Sequence, residues 1–380
     1  MKNILLSLMI FLSVNTFDIN TLNSTAAVLI DGNSGRVLVG KNENQILANA
    51  STTKILTCIL AIENSDMQDV VTVSKYASTM PDVQLNIREG QQFYMRDLLY
   101  SLMLESHNDS AVAIAEHIAG SVEEFADMMN EKARELGCYN TNFVTPNGLD
   151  NENENGMHST TAYDLTLIMK YCINNDKFLE ITQASSHSFT DIEGKSSYSV
   201  NNKNALLREG IGVISGKTGF TGKAGYCYVG ACKDGDRTYI FSLLACGWPP
   251  AKNKKWLDSR ALIKYGKENY ELIKYKDIEI DKKKLKNIMV NDGVEDDIEI
   301  NIDEVGDKAI LLNKDEKITI SYHIPKVIEA PIRKGDVIGR IDYMLEGKIY
   351  HSVPVYSNQN VDKKDYSWCL KNVLNKVLFN

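Results

Sequence analysis

Three short strings in this chain carry groups that could act together on a carbonyl. Ser51-Thr52-Thr53-Lys54 sets a hydroxyl and an amine three residues apart, at the head of the apolar run Ile55-Leu56-Thr57-Cys58-Ile59-Leu60-Ala61-Ile62. A serine hydroxyl is a weak nucleophile until a base takes its proton. On a helix, a residue three positions on lies on the same face, so Lys54 could be that base. The helix start adds free N–H groups and positive dipole where an oxyanion could form. By itself the string also reads as a capping serine followed by an exposed lysine. About one or two Ser-x-x-Lys strings are expected by chance at this length.

Two further strings change that balance. Ser106-His107-Asn108 follows about 50 residues later, and Lys217-Thr218-Gly219 about 110 beyond that. Each is weak alone, but the three in this order form a known acyl-transfer set. Ser51 would attack an acyl carbonyl, and Lys54 would take its proton, which requires a neutral amine. Desolvation and a nearby Lys217 ammonium both push a lysine that way. Ser106 could relay a proton to the leaving amine. Asn108 could hold a substrate amide and bond Lys54. Lys217 and Thr218 could bind a terminal carboxylate, and Gly219 would let a substrate backbone approach the strand. The oxyanion donors would be the backbone N–H groups of Ser51 and Phe220.

The elements that must position these groups can be read in outline. Ala26 to Ile30 and Arg36 to Val39 read as a hairpin about Gly32-Asn33-Ser34-Gly35. Residues 93–173 read as mostly helical, with a capping box at Ser121-Val122-Glu123-Glu124, a stop at Gly137 and a new start at Ser159-Thr160-Thr161. Strands resume near 213, turn at Lys233-Asp234-Gly235-Asp236, and give way to a helix over Trp256 to Tyr270. The fold class is therefore α+β: an antiparallel sheet flanked by helices, with a helical region and a small C-terminal all-β domain. Within that last domain Ile298 to Ile302 reads as one strand.

The domains expected are 1–24 as a signal peptide, 25–270 as the catalytic domain, 271–358 as the β-rich domain and 359–380 as an amphipathic helix. Lys2 and the apolar Ile4 to Val14 fit an export signal, too short to span a membrane, although no clear small-x-small cleavage pair follows. Trp368, Leu370, Val373, Leu374, Val377, Leu378 and Phe379 recur at helical spacing opposite Lys371 and Lys376, a pattern suited to a membrane interface or to the protein's own surface. A net charge of -8 argues against nucleic acid as a partner. The seven cysteines are scattered, without CxxC or Cys/His spacing, so no metal site is expected.

Taken together, the three strings make the chain resemble the low-molecular-weight penicillin-binding proteins, the serine-type D-Ala-D-Ala carboxypeptidases of peptidase family S11. Ala50-Ser51-Thr52-Thr53-Lys54, Glu105-Ser106-His107-Asn108-Asp109 and Lys217-Thr218-Gly219-Phe220-Thr221 match its three motifs. Pro146-Asn147-Gly148-Leu149 and His158-Ser159-Thr160 resemble a characteristic loop, and Ala330 to Val337 resembles its C-terminal β-domain. The resemblance implies a β-lactamase/transpeptidase-like fold and removal of the terminal D-alanine from peptidoglycan stem pentapeptides. It also implies acylation by β-lactams, no metal or cofactor, export to the outer face of the cell membrane, and anchoring there by the C-terminal helix.

Three departures from the family pattern stand out. His107 replaces a usual glycine and is expected to point to solvent. Lys255 falls where the family often has an arginine for the substrate carboxylate, and Lys203 where it has another; lysine keeps the charge but not the bidentate fork. Two rival readings remain at this point: a serine β-lactamase, for which Glu152 and Glu154 would be the candidate deacylation bases, and a non-catalytic cell-wall-binding protein.

Overall fold

The structure is a computed structural model, and it describes residues 17–285 and 288–378. The expected export signal therefore lies largely outside the described residues. Two compact units divide between Glu268 and Asn269.

The first unit is built on a five-stranded antiparallel sheet. Its strands are β1 (Ala26–Asp31), β2 (Val37–Lys41), β3 (Val213–Thr221), β4 (Gly225–Asp234) and β5 (Arg237–Leu244), in the spatial order β2-β1-β5-β4-β3. All six residues of β1 are buried. A strand covered on both faces reads as a continuous apolar run rather than an alternating one. That is why Ala26-Ala27-Val28-Leu29-Ile30 shows no polar face. The edge strand β3 carries Lys217 and Gly219.

Helices cover both faces. α1 (Lys54–Asn64) is buried from Lys54 through Ile62, the signature of a central helix rather than a surface one. Around it lie α2 (Met95–Leu104), α3 (Asn108–Ala119), α4 (Val122–Glu135), α5 (Ala162–Cys172) and α6 (Asp176–Gln183). Their apolar faces join Val28, Ile30, Val229 and Ile240 of the sheet in one core. The expected boundaries are present: Ser121 Oγ accepts from Glu124 N, Thr161 Oγ1 accepts from Asp164 N, and Gly137 takes a left-handed φ of 83° past the end of α4. On the opposite sheet face α7 (Lys254–Asn269) packs closely. A Cβ on Gly266 would lie 2.9 Å from the Tyr239 ring.

The second unit holds a four-stranded sheet, a three-stranded sheet and a two-stranded pair. Here one expectation is corrected. Ile298 to Ile302 is not one strand but two: Asp297–Ile298 joins the three-stranded sheet and Ile300–Ile302 the four-stranded one. The physical reason is that the apolar side chains serve two cores, Ile298 in the smaller and Ile302 against the larger. The chain continues into α8 (Tyr366–Leu378), where Tyr366, Leu370, Val373, Leu374, Val377 and Leu378 are exposed.

One buried carboxylate fixes the entry of the chain into the first unit. Asp258 on α7 accepts from Ser24 N, Ser24 Oγ and Asn23 Nδ2 at 2.9, 2.6 and 2.8 Å. Asp258→Ala leaves the buried Ser24 donors unpaired and should lower unfolding free energy by about 3 kcal/mol. Chemical denaturation checks this, and a loss below about 0.5 kcal/mol contradicts it.

Candidate active site

Ser51 sits not in α1 but in a 3-10 turn, Ala50–Thr53, that runs directly into it. The turn is locked by its own side chains. Asn49 Nδ2 donates to Thr53 Oγ1 at 2.8 Å, Thr52 Oγ1 donates to Asn49 O at 2.7 Å, and Thr53 Oγ1 donates to Ala50 O at 2.8 Å. The i to i+3 relation survives the change of helix type, and Lys54 Nζ lies 2.8 Å from Ser51 Oγ.

Lys54 is fully enclosed, and its amine has two further neighbours, Asn108 Oδ1 at 2.9 Å and the Asn147 carbonyl at 2.5 Å. A neutral amine has two N–H donors and one lone pair. Two donors match these two acceptors, which leaves the lone pair for the Ser51 hydroxyl proton. The electrostatics agree. Burial, and then the charge of Lys217, hold the Lys54 amine well below its usual range, against a weaker opposing pull from Asp109.

Lys217 on β3 donates to Ser106 Oγ at 2.8 Å and to Thr218 O at 2.9 Å. Burial lowers it to about 7, so its charge is poised near neutral pH. Ser106 holds this position with φ at 74°. For a residue with a Cβ that conformation costs about 1–2 kcal/mol. Asn108 opens α3 and fastens it to the loop at 81–87, which lies before α2 in the chain: its Nδ2 donates to Pro81 O and its backbone N–H to Val83 O. Asp109 accepts from Leu85 N and Ile87 N in the same loop. The three strings thus meet through the hydrogen bonds Ser51–Lys54–Asn108 and Ser106–Lys217.

Two backbone approaches make the meeting possible. A Cβ on Gly219 would fall 2.9 Å from Ser51 N and 3.0 Å from both Asn49 O and Thr52 N. The room at Gly219 is therefore taken by the Ser51 turn itself, whereas the sequence reading assigned it to substrate. Gly148, with φ at 83°, presses still closer, and a Cβ there would overlap Ala50 O. This contact carries the Asn147 carbonyl to Lys54. Sequence reading missed Asn147 as a site residue because its contribution is a backbone oxygen, which no side-chain motif announces.

His158 supports the same corner. Its Nδ1 accepts from Val144 N at 3.0 Å, so the ring proton is on Nε2, 2.8 Å from Thr53 Oγ1. Burial, and secondarily Lys54, bring its pKa down to about 3, so it stays neutral and acts as a brace.

The remaining expected residues are placed as follows. Thr218 and Phe220 alternate with Lys217 and Gly219 along β3; Phe220 is partly exposed and packs on Tyr226 at 4.7 Å. Lys255 Nζ bonds Lys252 O at 2.6 Å and lies over the rings of Tyr226 and Trp256. Lys203 pairs with Glu105 at 3.2 Å. Glu152 and Glu154 lie exposed on a short hairpin. His107 corrects an expectation: it does not point to solvent but is buried, with Nδ1 2.8 Å from Ser101 Oγ, because a hydroxyl partner is available to it beneath α2.

Such a site, with Ser51 on a 3-10 turn that leads into a helix opened by the buried Lys54 beside an antiparallel sheet, has the groups of a serine acyl-transfer enzyme. Comparison with known proteins gives the family. The profile described as D-alanyl-D-alanine carboxypeptidase, peptidase S11, matches residues 13–245. That of the penicillin-binding protein 5 C-terminal domain matches 274–363. The chain belongs to the S11 family. It is 32% identical over 360 residues to D-alanyl-D-alanine carboxypeptidase DacF of Bacillus subtilis strain 168, covering 92% of this chain and 88% of that protein. It is 28% identical to DacC of Escherichia coli K12, over 93% and 88% of the two chains. Penicillin-binding protein 5 from Haemophilus influenzae superposes with a TM-score of 0.71 at 28% identity, over 90% of this chain and 98% of that one.

Gly219→Ala tests the close approach of β3 to the Ser51 turn. The added methyl meets only backbone, so it should cost about 1–3 kcal/mol of stability. It should also slow acylation of Ser51 by about a hundredfold through misplacement. Parallel denaturation and acylation measurements check both, and wild-type behaviour in each contradicts the assignment.

Proposed function

We propose that this chain is a serine D-Ala-D-Ala carboxypeptidase that removes the terminal D-alanine from peptidoglycan stem pentapeptides. The observation that carries the reading is the Lys54 amine, buried, held low, and in contact with Ser51 Oγ with its donors already matched. Lys54 Nζ takes the Ser51 proton as Oγ bonds the carbonyl carbon of the penultimate D-alanine. The oxyanion is met by the N–H groups of Ser51 and Phe220. As the tetrahedral carbon collapses, the C–N bond breaks and the leaving amine takes a proton originating on Lys54, relayed through Ser106. Asn108 bonds the substrate amide, while Lys217 and Thr218 hold the terminal carboxylate. Water then attacks the ester, giving its proton to Lys54; the acid is released and Ser51 regains its hydrogen. Lys255, over the ring of Tyr226 on β4, adds positive charge near Phe220, which pairs with Tyr226.

β-Lactams present a strained amide and a carboxylate in a similar arrangement, so they acylate the same serine. The β-lactamase alternative needs a base for rapid deacylation. The bonds of Ser51 and Lys54 among the described residues involve Asn147 and Asn108, not a carboxylate. This favours a long-lived acyl-enzyme. Intact-protein mass spectrometry after benzylpenicillin treatment should find one adduct, absent in Ser51→Ala and persisting for minutes. No adduct, one that survives the substitution, or turnover in well under a second overturns the reading.

Export and attachment to the outer face of the membrane belong to the same proposal. Among the described residues no helix is long and apolar enough to cross a membrane. The exposed apolar face of α8, with Lys371 and no acidic residue in its sequence, suits a helix lying in an anionic interface. The full chain should co-sediment with phosphatidylglycerol vesicles, and Leu374→Asp with Val377→Asp should release it. Equal binding by that double variant contradicts the anchor.

A further inference from the structure

His107 takes no part in the acylation just described, yet it is built into the site from below. It is only 5% exposed. Its Nδ1 lies 2.8 Å from Ser101 Oγ on α2, and that hydroxyl lies 2.7 Å from Ser110 Oγ on α3. Its Nε2 faces Glu105 Oε2 at 3.7 Å. Glu105 is itself tied to the strand Ser197–Asn201 and its exit, accepting from Asn201 N at 2.9 Å and pairing with Lys203 at 3.2 Å. Between these two anchored residues stands Ser106, with its φ of 74°. A left-handed residue that carries a Cβ persists where its surroundings over-determine it. Here the restraint comes from both sides: Glu105 is held to the strand and His107 to α2 and α3.

We propose that His107 is a positioning residue for the Ser51 reaction: its buried bond to Ser101 holds Ser106 in the left-handed conformation that puts its hydroxyl on Lys217. This rests on the acylation chemistry set out above. The neutral ring with Nε2–H toward Glu105 leaves Nδ1 to accept from Ser101, which in turn accepts from Ser110. Protonation turns Nδ1 into a donor and reverses that chain. The titratable groups around the ring are Glu105 and Asp109, which favour its charge, and Lys203 beyond the strand and, once protonated, Lys54 from α1, which oppose it. Burial is the largest influence and keeps the ring below its ordinary 6.5, so at neutral pH it is in the accepting form. Acid therefore disturbs the Ser106 hydroxyl in addition to protonating Lys54.

The test is the rate constant for Ser51 acylation by a fluorescent penicillin, measured on the full chain from about pH 5 to pH 9. His107→Ala and Ser101→Ala should each slow acylation about tenfold at about pH 8, and the gap to wild type should narrow in acid, where protonation removes the same bond from the wild type. His107→Gln, whose amide oxygen can accept from Ser101, should restore most of the rate at pH 8. The wild-type profile should steepen below pH 6.5, the ordinary histidine value, and the glutamine variant should not. A merely packed histidine predicts neither the rescue nor the change of slope. Thermal unfolding of each variant confirms that a folded protein is being compared. Wild-type rates in both alanine variants, or an acid limb unchanged by His107→Gln, overturn the role of His107 alone. Absence of acylation in the wild type overturns the acylation reading and this role with it.

Discussion

An amine held away from water is the constraint on which the first unit depends. Lys54 opens a helix that is buried on every side, so its charge has no solvent to stabilise it. Lys217 shares the enclosure. Moving a lysine from 10.5 to about 7 costs on the order of 5 kcal/mol of folding stability at neutral pH. The sign follows from proton counting. Between those values the unfolded chain holds a proton that the folded chain does not, so the penalty is complete below about 7 and fades as pH rises toward 10.5. The extensive core around α1 offsets it. The buried amine beside Ser51 is thus a local instability that the rest of the unit sustains.

The same logic explains why the site is made of backbone brought close rather than of side chains reaching far. Gly148 and Gly219 let two segments press against the Ser51 turn from different directions. Thr52, Thr53 and Asn49 close the turn on itself, and His158, fixed in one tautomer, braces it from the loop side. Groups held this way need little rearrangement as charge develops on a reacting carbonyl. The left-handed Ser106 and Ala50 are the strain that such closeness brings.

How much of this was legible in the sequence follows from where each contribution resides. Ser51, Lys54, Ser106, Asn108 and Lys217 carry distinctive side chains at fixed spacing, so their strings could be read, and the structure brings them together. The Asn147 carbonyl could not be read, because every residue has one and only the fold aims it. His107 was read outward because a polar ring in a polar string is usually solvated; its burial depends on Ser101 and Ser110, which the sequence does not mark as its partners. The hairpin Ser186–Thr190 with Ser197–Asn201 escaped notice for a related reason. Both strands do alternate, His187 with Phe189 and Tyr198 with Val200 on one face, but each is only five residues long and three of the five are exposed polar residues, so the apolar signal is weak. Ile298 to Ile302 failed in the opposite sense, since an unbroken alternation concealed two strands serving two cores.

In the reaction proposed above, the two lysines also couple binding to reactivity. Lys217 is poised near neutrality by burial alone, and its charge is one of the forces that keeps Lys54 deprotonated. A carboxylate placed beside Lys217 favours its charged form. That added charge in turn presses Lys54 toward the neutral amine the nucleophile needs. An amide lacking a terminal carboxylate supplies no such push. Discrimination for a C-terminal residue is then exerted partly on the chemical step and not only on affinity, because the anion that docks the ligand also biases the base. The enclosure that makes Lys54 costly to fold is what makes this coupling strong, since the interaction between the two amines is screened little by water.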